Sequence, residues 1–126
     1  MLSTDTYKVV HLFGVFMMFT ALAATFAYVA NGGTREGNPL RRLFAAMHGL
    51  GAFLAIVAGF GMFARLQAAG SISGMPGWVV AKLVLWLFLA VSLAIPYRRP
   101  AAARPMLLLL PLLGATAGLL AVFKPF

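Results

Sequence analysis

Four apolar runs, Val9 to Ala30, Leu43 to Leu66, Trp78 to Tyr97 and Met106 to Phe123, take up most of the chain. A helix rises roughly 1.5 Å per residue, so about 20 residues cross a hydrocarbon core of about 30 Å, and each run is near that length. Inside lipid every backbone N–H and C=O must find a partner within the spanning structure, and for apolar runs of this length, broken only by His48 and Arg65 in the second and Lys82 in the third, that structure is a helix. The expected fold is therefore all-α: a polytopic membrane protein with four transmembrane helices, at about 7–30, 40–66, 77–97 and 105–123, in an up-down-up-down bundle. Composition agrees, with 63% of the 126 residues hydrophobic and only 10% charged, far from a soluble domain.

The connections are short. "NGGTREGNPLRR" joins the first pair of runs, "QAAGSISGMPG" the second and "RRPAAARP" the third, which argues for a single domain of neighbouring antiparallel helices. Asn38 and Pro39 are suited to start the second helix, and Arg104 and Pro105 to open the fourth. Pro111 is expected to bend that last helix. The first run follows Lys8 and holds small residues in "ALAATFA", as a signal peptide does, but it is longer than a usual signal core and is expected to be retained.

Charge orients the bundle. Arg35, Arg41, Arg42, Arg98, Arg99 and Arg104 fall in the first and third connections, against Lys8, Arg65 and Lys124 at the other side. By the positive-inside rule the arginine side faces the cytoplasm of a bacterial inner membrane and both termini lie outside. The net charge of +8 sits beside apolar spans, so phospholipid headgroups rather than nucleic acid are the expected counter-charge. With no cysteine there is no disulfide, thiolate metal site or thiol nucleophile.

Small residues recur at four-residue spacing: Gly51, Ala55 and Gly59 in the second helix, Gly114 and Gly118 in the fourth. Such stripes let helix backbones approach closely, so these positions are expected to pack the bundle.

Ionisable groups within a span are costly and usually face the interior or a cavity. His11, His48 and Lys82 lie in spans, and Arg65 ends one. Lys82 stands roughly 7 to 8 Å inside the outer boundary, where its stem can snorkel to headgroups or its ammonium can meet Trp78 and Trp86 at i−4 and i+4. His11 shares a stripe with Gly14, Met18 and Thr25, and is open to two readings, a hydrogen bond to another helix or a ligand. His48 shares the glycine stripe and has the same two readings. Counted from opposite boundaries, the histidines differ in depth by roughly 10 Å or more, which argues against both clamping one haem. A histidine with Met17, Met18, Met47 or Met62 is the simpler pair for haem iron or copper. Paired carboxylates and acid-oriented triads are out of reach within the membrane, since the only acids, Asp5 and Glu36, lie outside the runs.

"YKVVHL", "MHGLGAFLAIVAGFGMFARL", "PGWVVAKLVLWLFLAVSLAIPYRRP" and "VFKPF" together resemble small bacterial four-helix membrane proteins of unknown function and, more distantly, the SirB-like family, whose third helix also opens with a tryptophan and an "AKL" lysine. A looser similarity runs to HemJ-type protoporphyrinogen oxidases and CopD-type copper proteins, with a histidine early in the first helix and a basic residue early in a later one. That resemblance implies His11 as a haem b or metal ligand and Lys82 as the partner of a propionate or other anion; independently of it, the basic layer places Arg65 and Lys8 at a similar depth as further candidates to pair with propionates. Three functions follow as expectations. The leading one is an accessory, assembly or structural subunit without catalysis of its own, packed in a larger complex or homo-oligomer. The others are a haem-binding redox protein using His11, and transport of a small anion or of copper.

Overall fold

The computed structural model describes residues 2–126, which form helices and turns with no strand among them. Helix α1 spans Thr4–Ala30, α2 Arg41–Ala68, α3 Gly77–Val91, α4 Ile95–Arg98 and α5 Ala103–Phe123. Short 3-10 turns, Ser92–Ala94 and Pro100–Ala102, join α3 to α4 and α4 to α5. Counting α3 with α4, and α5 with the turn before it, four helices are long and apolar enough to cross a membrane.

The helix ends depart from the sequence expectation by a few residues, each for a local reason. Helix α1 begins a turn early because the Ser3 side chain accepts from the Thr6 amide and caps it. Helix α2 begins after Asn38 and Pro39: Asn38 Oδ1 accepts from the Leu40 amide at 3.0 Å and its Nδ2 donates to the Tyr97 hydroxyl at 2.9 Å, tying the connection to α4. Between α3 and α4 the helix tightens to 3-10 geometry at Ser92–Ala94, just before Pro96. Proline cannot donate to the carbonyl one turn back and its ring crowds that carbonyl, here Ser92. In α5 Pro105 occupies the first turn, where a missing donor costs little, and the helix continues through Pro111.

The core gathers on α1. Met18, Leu22 and Phe26 pack against Ala52 of α2, Leu89 of α3, and Met106 and Leu110 of α5. The outer faces carry exposed apolar side chains, among them Phe13, Phe16, Phe53, Val84, Leu87, Leu108 and Leu112. So broad an apolar exterior suits a hydrocarbon solvent, where it needs no protein cover.

Helices α1 and α2 touch backbone to backbone. A β-carbon added at Gly14 would lie 2.7 Å from both the Ala55 nitrogen and the Gly51 oxygen, and one at Gly51 would lie 2.6 Å from the Gly14 oxygen. The small stripe of α2 thus meets Gly14 of α1. Gly114 behaves differently, with the Phe19 ring 3.6 Å from its virtual β-carbon, while Gly118 has nothing within 4 Å.

Side-chain bonds to main-chain carbonyls tie α3 to α2. Trp86 of α3 donates its indole N–H to the Ala52 carbonyl of α2 at 3.0 Å. Interhelical bonds in apolar surroundings are worth about 0.6 to 1.7 kcal/mol. Trp86→Phe is expected to destabilise the bundle by about 1 kcal/mol, since Ala52 loses its donor while the ring volume is largely kept. Equilibrium unfolding in detergent micelles measures this, and an unchanged midpoint would show the indole bond to be replaceable.

Candidate functional site

The N-terminal parts of α1 and α3 and the C-terminal parts of α2 and α5 enclose a cleft of about 610 Å³ at the end of the bundle that carries the chain termini. Its size falls within the roughly 300–1,000 Å³ usual for small-molecule sites. Leu12, Val15, Phe60, Phe63 and Trp86 make much of the wall apolar, and Gly59, Gly114 and Gly118 leave it wide. Gly118, open in the packing, is therefore part of the cleft surface.

Polar chemistry in this cleft is concentrated in His11, Lys8, Lys82 and Lys124. His11 Nδ1 lies 2.8 Å from the Ala55 carbonyl oxygen. A carbonyl only accepts, so Nδ1 carries the proton, and in the neutral ring Nε2 keeps its lone pair. No hydrogen bond among the described residues engages Nε2. The ring rests over Gly59, whose virtual β-carbon lies 3.5 Å from Nδ1 and 3.6 Å from Cε1. His11 thus bonds a neighbouring helix through one ring nitrogen, the first of its two sequence readings, while its other nitrogen makes no hydrogen bond among the described residues.

The lysines are arranged unequally. Lys8 Nζ is 3.4 Å from Asp5, an exposed ion pair of small energetic value. Lys82 is half-buried, and among the described residues no acid or hydrogen-bond acceptor is paired with it. Lys124 stands over the Trp78 ring at 5.6 Å from its centroid, and the Trp78 amide donates to the Phe126 carbonyl at 3.0 Å. The indoles flanking Lys82 in sequence are therefore engaged elsewhere, Trp78 by Lys124 and Trp86 by Ala52. Ammonium groups in a low-dielectric cleft repel one another, and an anion between them would offset that repulsion.

Arg65 is exposed and lies outside the cleft lining. The α2 positions that line it, among them Ala55, Gly59, Met62 and Leu66, fall on one helical face, and Arg65 points away from that face. The sequence places Arg65 at the right depth but does not show its rotation. Of the candidate methionine ligands, Met62 shares the cleft with His11, whereas Met18 is in the core.

His48 belongs to the opposite end. It is buried, and its Nε2 lies 3.0 Å from the Leu89 carbonyl of α3, which accepts its proton. It lines a different cleft, with Arg35, Arg41, Arg42 and Arg98. The two histidines therefore do not share a site. The sequence alone does not reveal Lys124 as a partner of Trp78 or Thr25 as a member of the second cleft. Only the contact between α3 and the chain end could have revealed the first. No group of three or more His, Cys, Asp or Glu side chains able to hold a bare metal ion occurs among the described residues.

No protein-family model matches the chain, and neither a curated protein nor a solved structure is similar enough to it to match.

Proposed function

We propose that the chain is an integral protein of a bacterial inner membrane, an accessory subunit that binds rather than transforms its ligand, and that the ligand is haem b seated in the cleft of His11 and Lys82. In this reading the four spans alternate in direction, the arginine-rich connections face the cytoplasm and the termini face outward. The observation that carries it is the His11 tautomer. With Nδ1–H committed to the Ala55 carbonyl, Nε2 keeps a lone pair that could ligate iron, and His11 lines the apolar cleft.

Haem suits the other residues too. Its macrocycle needs apolar walls, which Phe60, Phe63, Leu12 and Val15 provide, and its propionates need cations, which Lys82 and Lys124 provide. Met62 offers a thioether in the same cleft. Bound there, haem would supply one-electron chemistry, while the protein holds the iron through His11, orients the ring and limits water. The accessory role is supported by the scarcity of acid–base groups: Asp5, the ion-pair partner of Lys8, does not line the cleft, and Glu36 is exposed in the first connection.

The test is the visible spectrum of protein purified in mild detergent from haem-replete cells, before and after dithionite. A Soret band at one haem per chain, sharpening on reduction, is the expected result. A blank spectrum from folded protein would sink the haem assignment and leave the cleft to another amphipathic anion.

A further inference from the structure

The opposite end of the bundle holds a second cleft, about 900 Å³, between the start of α2, the end of α3 and α4. Arg35, Arg41, Arg42 and Arg98 all line it. Among the described residues none of these guanidiniums forms a salt bridge, and the one side-chain bond they make is a long one, Arg41 Nη1 to the Arg35 carbonyl at 3.4 Å. Glu36, the nearest acid in sequence, is exposed and absent from the lining. The cleft thus concentrates four planar cations without a counter-charge.

A second, independent feature lies in the same cleft. Thr25 is 0% exposed, and its Oγ1 is a buried side-chain oxygen without a hydrogen-bond partner. A helical threonine ordinarily bonds the carbonyl one turn back, as Thr116 does with Leu112 at 2.8 Å. Thr25 does not, and a buried hydroxyl left unpaired is destabilising. It lines the cleft beside His48, whose Nε2 proton is already given to Leu89. Of the polar groups at this end, the Thr25 hydroxyl is the buried donor left over.

We propose that this cleft is a binding site for a phosphate group, held by the forked guanidiniums of Arg35, Arg41, Arg42 and Arg98, with the Thr25 hydroxyl as the donor at its floor. Arginine suits phosphate because its planar fork donates two parallel bonds to a pair of oxygens, a geometry that lysine lacks. The phosphate is carried either by an anionic lipid headgroup, whose chains would lie along Phe44, Val91 and Leu93, or by a free polyphosphate. The site is remote from the His11 cleft and stands whether or not haem binds there.

The experiment measures binding of phosphatidylglycerol, phosphatidylcholine and inorganic pyrophosphate to the full chain in mild detergent, by native mass spectrometry and thermal shift. Phosphatidylglycerol or pyrophosphate is expected to bind the wild-type chain in preference to phosphatidylcholine. In Arg41→Gln/Arg98→Gln, affinity is expected to fall about tenfold or more, as for loss of charge-assisted bonds. The charge-matched Arg99→Gln/Arg104→Gln pair lies outside the lining and is expected to keep wild-type affinity. Thr25→Val, which replaces the hydroxyl by a methyl of similar size, is expected to weaken binding without lowering the ligand-free Tm. Preference for the lipid identifies a headgroup site, and preference for pyrophosphate a soluble one. Equal losses in the two arginine pairs would overturn the proposal, as they would mark a diffuse basic surface. Equal binding of phosphatidylcholine and phosphatidylglycerol with no pyrophosphate binding would overturn it too. Should Arg41→Gln/Arg98→Gln misfold, Arg35→Gln/Arg42→Gln makes the same comparison.

Discussion

Gly51→Leu is expected to abolish the folded bundle, while Gly49→Leu leaves it intact. At Gly51 a new β-carbon would lie 2.6 Å from the Gly14 oxygen and 2.7 Å from the Met18 nitrogen. Both are backbone atoms of α1, so no rotamer change relieves the clash and the helices must move apart. Separation also loosens the His11 bond to Ala55, one turn further along the same seam. Overpacking a well-filled interior costs about 1–3 kcal/mol, and forcing two backbones apart belongs at or beyond the upper end of that range. Gly49 has nothing within 4 Å of its virtual β-carbon, so leucine there only adds a side chain to an exposed face. Size-exclusion profiles and thermal melts in detergent measure the contrast. Equal melting temperatures for the two variants would show that the close seam is not where the bundle draws its stability. Gly14→Leu should reproduce the Gly51→Leu defect, and the double variant should cost less than the sum, because both substitutions open one contact.

Four long apolar helices were legible because each comes from an apolar run of about 20 residues, too long for an ordinary strand. Their ends were less so. The start of α1 depends on the Ser3 cap and the 3-10 turn at Ser92–Ala94 on the proline that follows it, local effects that a hydropathy pattern blurs. Partner choice was the least legible. The Gly51–Ala55–Gly59 stripe announces a close approach, but not that α1 is the helix that approaches, nor that Gly14 is the residue facing it. Depth along the chain placed His11 and Lys82 together, yet depth alone also admitted Arg65, which points away from the cleft. The roles of Lys124 and Thr25 depend on rotations and on contacts between distant segments, for which the sequence carries no periodic signal.

His11→Gly is expected to remove the Soret band entirely, and added imidazole to restore it. The glycine deletes the ring and leaves space beneath the Ala55 carbonyl, so free imidazole can donate to that oxygen and present its other nitrogen to iron. His48→Ala serves as the counterpart. It leaves the Leu89 carbonyl without its donor and should lower the melting temperature, yet the cleft that His48 lines is at the other end, so the spectrum should survive. If haem binds in the His11 cleft, the same geometry would make Gly59 a positioning residue, since the His11 ring rests over it. A methyl there would lie 3.5 Å from His11 Nδ1, an ordinary contact, so Gly59→Ala should keep the spectrum. A branched side chain would displace the ring while leaving Nε2 chemically unchanged, and disturbed support of a histidine ligand typically costs about 10–100-fold in affinity. Gly59→Leu should therefore bind haem weakly with an unaltered ligand type, whereas His11→Gly should not bind it until imidazole is supplied. If His11→Gly kept a wild-type band without imidazole, the iron would be held elsewhere, and the Nδ1–Ala55 bond would be helix packing alone.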